Sequence, residues 1–252
     1  MENSVKLKTN SGFGFSMTGI QNLKETSYTL VLLLLDLTGS VSGEEDEIKR
    51  MLKQIIADGK RAGYGKRVLI ACYAFNTQIG VKELFGFDVP NAIDISGLHI
   101  DTTGGTNLID AVATGQDALE KAANELVGAD FITNLLFIGT TDGEDNSSRM
   151  TVQMLADKFN AARKNESFDS FKAILIGLRT GQQAQDSRYS GKTVDQVLSE
   201  LTADAAFDQY ESAKQVKDGT YGKIGGFISQ SISSSSQSLG SGSPSANVNF
   251  KV

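Results

Sequence analysis

Tyr28–Leu35 reads Y-T-L-V-L-L-L-L, and no other feature narrows the possible folds of this chain as much. The run has strand length and lacks the polar alternation of a strand with one wet face. A strand apolar on both sides belongs inside a parallel sheet with helices over both faces. It ends at Asp36. Beyond it Ile48, Met51, Leu52, Ile55 and Ile56 recur at helical spacing, and Ser42 with Glu45 forms a capping-box pattern ahead of them. The first unit is therefore strand, loop, helix, with Thr38 and Ser40 in the loop.

The same alternation continues along the chain. Arg67–Phe75, Phe131–Ile138 and Phe171–Leu178 read as strands, and Ala205–Tyr210 as a short last one. Gln78–Phe85 follows a turn at Asn76-Thr77 and reads as an antiparallel edge strand. Helical spacing marks Leu108–Leu126, Met150–Arg163 (Met150, Met154, Leu155 and Phe159 inward), Val194–Leu201 and Tyr221–Ser233. Strands alternating with helices predict an α/β fold: a mainly parallel central sheet with one antiparallel edge strand and helices on both faces. Residues 1–26 read as an N-terminal arm or extra strand, 27–237 as the domain, and 238–252 as a flexible Ser/Gly-rich tail. The end of that tail, Val248–Val252, alternates in a way that suits a sheet edge.

With 252 residues, 40% hydrophobic and 21% charged, the chain has the composition of a soluble globular domain. A net charge of −6 argues against nucleic acid as partner, because neutralising phosphates needs a basic face. The lone cysteine, Cys72, lies in a strand-like run and reads as a small buried hydrophobe. Met1–Asn10 is polar, without the apolar stretch of a signal peptide. No apolar run approaches the roughly 20 residues that span a bilayer. These features predict a cytoplasmic protein, or one belonging to a virion assembled in the cytoplasm.

Three short runs share one chemistry: Asp36-Leu37-Thr38-Gly39-Ser40, Gly104-Gly105-Thr106-Asn107 and Thr140-Thr141-Asp142-Gly143. They supply two carboxylates, Asp36 and Asp142, and three hydroxyls, Thr38, Ser40 and Thr106. In an open α/β sheet the loops after the strand carboxyl ends converge on one crevice. Oxygen ligands meeting there suit a hard divalent cation.

In order and element context, these runs resemble the von Willebrand factor A (vWA) family, whose metal-ion-dependent adhesion site (MIDAS) has the form D-x-S-x-S … T … D. The likeness covers roughly Ser27 to Gln237, with Thr38 where Ser is usual. It implies a Rossmann-like fold and a bound Mg²⁺, or Mn²⁺ or Ca²⁺. It implies direct coordination by Thr38 and Ser40, with Asp36 and Asp142 acting mostly through water and Thr106 directly or through water. It also implies a divalent-metal-dependent protein interaction module in which a partner's Asp or Glu completes the coordination. Intracellular and phage members extend the partners to an AAA+ ATPase or assembly subunits. A separate expectation is a structural component of a larger assembly, such as a phage particle or a contractile or defence apparatus, with the N-terminal arm and the tail as assembly contacts.

Other signals are weaker. Ser190-Gly191-Lys192-Thr193 looks like the end of a P-loop, but Asp186 stands where that motif needs glycine. His99 is the single histidine and has no nucleophile motif near it. A Mg²⁺-dependent phosphohydrolase is the rival function; it needs a nucleophile or base beside the metal, and Asp36 is the one strong candidate. The expectation is a binding protein rather than an enzyme.

Overall fold

The computed structural model describes residues 4–239 and 245–250. Among them one eight-stranded sheet is flanked by five α-helices. In chain order these are β1 (Ser4–Lys8), β2 (Gly14–Thr18), β3 (Ser27–Asp36), α1 (Glu45–Arg61), β4 (Val68–Asn76), β5 (Gly80–Asp88), α2 (Leu108–Val127), β6 (Ile132–Thr141), α3 (Val152–Lys164), β7 (Ser170–Leu178), α4 (Val194–Asp204), β8 (Gln209–Ala213) and α5 (Thr220–Ser238). Across the sheet the order is β1-β2-β5-β4-β3-β6-β7-β8.

Every residue of β3 from Tyr28 to Asp36 is buried. Strand side chains alternate between faces, and both faces are covered. Leu30, Leu32 and Leu34 join Val112, Leu119 and Phe159 of α2 and α3. Val31, Leu33 and Leu35 join Leu52, Ile55, Ile224 and Ile228 of α1 and α5.

The sheet is mixed, which corrects the expected Rossmann-like, mainly parallel sheet with one antiparallel edge strand. β4 pairs antiparallel with β5, and β1 antiparallel with β2. The reversal at β5 is forced by a short turn: Asn76 pairs with Gly80, Asn76 Oδ1 accepts from Gln78 N at 2.9 Å and Ile79 N at 3.0 Å, and Gly80 takes φ +64. A chain returning this soon can only pair antiparallel. Nor is β5 an edge. The N-terminal hairpin lies against it, with β2 parallel to β5 through Met17 and Phe87. The Glu83 carboxylate of β5 accepts from Ser16 N at 2.5 Å and Ser16 Oγ at 2.6 Å. Phe15 and Met17 are buried, Phe15 with its ring 6.1 Å from that of Phe87. The free edge passes to β1, whose Lys6 and Lys8 discourage further pairing.

Several element ends differ from the sequence reading. Residues 39–41 form a single 3₁₀ turn closed by Ser42, so α1 begins at Glu45 with Glu44 rather than Ser42 as its N-cap. In α3 Met154 is 52% exposed rather than inward. α5 continues through its serines to Ser238 because that face meets a polar part of the sheet: Asn134 Nδ2 donates to Ser235 O at 2.7 Å. Of the expected tail and arm, residues 240–244, 251–252 and 1–3 lie outside the described residues. Residues 245–250 lie along the sheet and α5. Lys172 Nζ donates to Ala246 O at 3.1 Å, Gln209 Nε2 to Val248 O at 2.7 Å, and the Phe250 ring sits 5.2 Å from that of Phe227.

Candidate functional site

β3 and β6 run parallel and in register, pairing Leu35 with Thr140. Asp36 and the Thr141-Asp142 turn therefore emerge side by side at the carboxyl end of the sheet. The loop before α2 is tied down on top of them. Thr103 N donates to Leu37 O at 3.1 Å, Gly39 N to Gly104 O at 3.2 Å, and Thr77 N to Gly105 O at 2.9 Å. Gly104 has φ +73, and a Cβ there would lie 2.9 Å from Thr77 Oγ1, so this turn requires glycine.

Asp36, Thr38, Ser40 and Asp142 are joined by hydrogen bonds. Asp36 accepts from Thr38 N at 3.0 Å and from Thr141 Oγ1 at 2.7 Å. The Thr38 and Ser40 hydroxyls are 2.9 Å apart, and Ser40 Oγ donates to Asp142 Oδ1 at 2.8 Å. Thr106 lines the same pocket, about 540 Å³, with Thr38, Ser40, Asp142, Glu144 and Arg179. Asp36 lies beneath its floor. Burial pushes the Asp36 carboxyl up to about 7, helped by the neighbouring Asp142 charge and opposed by its bonds from Thr141 and Thr38. Burial also raises Asp142. Two buried carboxyls beside three hydroxyls form an oxygen donor set that suits a hard cation.

Four further residues belong to the site, none of them among the five expected ligands. Arg179 follows β7; its Nη1 donates to Ser40 O at 2.7 Å and to Asp142 Oδ2 at 3.2 Å, and its Nη2 pairs with Glu44. Tyr221 of α5 donates its hydroxyl to the other Glu44 oxygen. Glu144 accepts from Gln185 N at 3.0 Å and Asp186 N at 2.9 Å, tying the loop after β7 to the loop after β6. One signal was present for Arg179: it directly follows an apolar strand run, as Asp36 does. Glu44 was hidden in an acidic run that a helix start explains.

The weaker signals resolve without function. Thr193 caps α4 in a capping box with Gln196, which accounts for the P-loop-like stretch. His99 is exposed beside Asp101. Cys72 is buried, and burial raises its thiol.

No family model matches the chain, and no curated protein matches it. Solved structures do. The PilB minor pilin from Streptococcus sanguinis is 14% identical, with a TM-score of 0.53 over 90% of this chain and 66% of the pilin. The pilus adhesin SpaC from Lactobacillus rhamnosus GG, in an open conformation, is 13% identical, with a TM-score of 0.61 over 91% of this chain and 33% of the adhesin. The chain thus spans about two thirds of the pilin and one third of the adhesin. At such identities the likeness is one of fold.

These findings correct the sequence reading. The structural neighbours named above are a minor pilin and a pilus adhesin, and no family model supports the assignment to the vWA family with a MIDAS-type site. Among the described residues, no group of three or more His, Cys, Asp or Glu side chains is placed to hold a metal ion; two of the five expected ligands are carboxylates, and the others are hydroxyls. The expected cytoplasmic location is corrected as well: the two neighbours named above are pilus components. No helix among the described residues is long and apolar enough to cross a membrane.

Proposed function

We propose that this chain is a binding module rather than an enzyme, and that its crevice captures an acidic group of another protein through a divalent cation, Mg²⁺, Mn²⁺ or Ca²⁺. Thr38, Ser40 and Thr106 would hold the ion, with Asp36 and Asp142 balancing its charge through water. The observation that carries this reading is the convergence of three hydroxyls and the Asp142 carboxylate in one pocket at the carboxyl end of the sheet, with Asp36 beneath its floor. Neutral hydroxyl ligands leave a divalent ion electrophilic, and a partner's Asp or Glu supplies the missing negative charge. An acidic chain would otherwise repel such a partner.

Hydrolysis is disfavoured by the state of Asp36. It is buried under the pocket floor and both its oxygens are occupied, by Thr38 N and Thr141 Oγ1, so it is not free to attack a phosphate. The pilus adhesin neighbour is in keeping with a binding role, and the minor pilin favours a second reading, a structural component of a larger assembly.

Calorimetric titration with Mn²⁺ tests the proposal. Ser40→Ala and Asp142→Ala should each weaken binding at least roughly tenfold, the equivalent of about 1.4 kcal/mol, while leaving the fold intact. Equal affinity in wild type and both variants would remove the site. Metal-dependent turnover of a phosphate ester that vanished in Asp36→Asn would favour the enzyme instead.

A further inference from the structure

Among the residues that line the pocket, Arg179 is the basic one. Its guanidinium is gripped on three sides, by Ser40 O, Asp142 Oδ2 and the Glu44 carboxylate. The Asp142 side chain is 1% exposed and that of Arg179 25%, so this ion pair is largely shielded from water and its charges are felt strongly. Arg179 also sits at φ +52. A non-glycine residue in the left-handed region is held there by its surroundings, and such positions gather at functional sites. Glu44, the other anchor, is itself fixed by Tyr221. A positive charge is therefore built into the place where the proposed cation must sit.

We propose that Arg179 is the crevice's resident counter-cation, and that a divalent ion binds only by driving the guanidinium off Asp142 Oδ2 and onto Glu44. This inference rests on the cation-site reading above and adds its regulation. Ser40 is already arranged for the exchange: its proton points at Asp142 Oδ1, which leaves oxygen lone pairs for a metal. Asp142 Oδ2 is the oxygen that must change partner. Glu44 keeps the displaced guanidinium close, so its charge continues to oppose the ion. Cation binding alone is then weak. A carboxylate arriving with the ion brings a negative charge that offsets both, so cation and acidic partner bind cooperatively, each raising the affinity of the other.

The test is calorimetric titration of Mn²⁺ into the full chain, its Arg179→Gln variant and its Arg179→Lys variant, repeated in saturating acetate as a minimal carboxylate. Arg179→Gln should bind Mn²⁺ roughly tenfold tighter than wild type, because a like charge has been removed from within a Debye length; Arg179→Lys should stay near wild type. Acetate should tighten Mn²⁺ binding in wild type more than in Arg179→Gln. Should Arg179→Gln fold poorly, the wild-type guanidinium resonance of Arg179, assigned by its absence in Arg179→Lys, gives the same answer. It should shift on saturation with Mg²⁺. Mn²⁺ binding that is equal or weaker in folded Arg179→Gln, or an unmoved Arg179 resonance at saturation, overturns the inference and leaves the cation site standing. No Mn²⁺ uptake by any of the three proteins overturns the cation site itself, and the inference with it.

Discussion

Replacing Gly86 with alanine should loosen the N-terminal hairpin and little else. A Cβ on Gly86 would lie 2.2 Å from Ser16 O and from Ser16 Oγ. Carbon and oxygen do not approach so closely, so β2 must retreat from β5 by about 1 Å, a gap that forfeits much of the dispersion contact across it. Three interactions bridge that gap. Glu83 accepts two hydrogen bonds from Ser16, each worth roughly 1.5–3 kcal/mol when one partner is charged. Met17 pairs with Phe87. Phe15 and Met17 are buried, each by roughly 1.5–3 kcal/mol of transfer free energy. A 1 Å shift weakens these without abolishing them, so the expected loss is about 2–4 kcal/mol. It has a ceiling, since β1 and β2 can let go together and leave the rest folded. Gly14→Ala is the control: the nearest atom to its added Cβ is Leu7 O at 4.0 Å, and it should cost less than about 1 kcal/mol. Urea unfolding gives the stabilities, and hydrogen exchange of the amides of residues 14–18 locates the change. If Gly86→Ala is no less stable than Gly14→Ala, or if exchange rises evenly over the chain, the argument that β2 is seated through Ser16 is wrong.

Two more predictions follow from buried charge. In chelator, wild type should lose stability relative to Asp36→Asn as pH rises from about 4 to about 7. The folded chain holds the Asp36 proton up to about 7 while the unfolded chain releases it near its ordinary value, so folded protein binds more protons in that window, and the slope approaches roughly 1.4 kcal/mol per pH unit; parallel melting-temperature profiles for the two proteins would contradict it. Truncation after Leu239 should lower stability measurably, by about 1–3 kcal/mol, because buried Lys172 loses its acceptors and Phe227 its ring contact; restoring the loss with Lys172→Met in the truncated chain would identify the unpaired ammonium as the cause, and an unchanged melting temperature on truncation would show that residues 245–250 add nothing.

The elements that could be read in the sequence are those whose pattern is set by burial alone. Leu30–Leu35 is apolar because both faces are covered, and the α1 stripe from Ile48 to Ile56 is periodic because one face is. The sheet's handedness of pairing is set elsewhere. The Asn76–Gly80 turn fixes the direction of β5, yet nothing in β5 itself says that its outer side will be covered. The cover comes from Phe15, Met17 and Ser16, in a segment too polar and too rich in glycine to read as two strands. The crevice divides in the same way. Asp36 ends β3, Thr38, Ser40 and Asp142 follow strand ends and Thr106 precedes α2, and their residue types and order along the chain point to a site. Glu44, Arg179 and Tyr221 join it through contacts between residues more than a hundred positions apart, and such pairings leave no mark on local pattern. Gly225 shows the same limit. A Cβ there would meet Gln54 at 3.3 Å, so its smallness serves the close approach of α5 to α1, which no local pattern announces.

The hairpin at the start of this chain is made early and seated late. Ser16 precedes its anchor Glu83 by 67 residues, and β5 is a fit surface only after β4 has paired with β3. A growing chain therefore carries β1 and β2 through the synthesis of everything between Thr18 and Asp88 with Phe13, Phe15 and Met17 uncovered, and closing so wide a loop is slow. A lone two-stranded hairpin is at best marginally stable in water, so this segment spends that interval exchanging between conformations and offering an apolar strand to any open sheet edge it meets. The device that protects the finished sheet's edge is thus, for a time, the part of the chain most exposed to mispairing, and the yield of folded protein depends on how quickly β5 arrives to receive it.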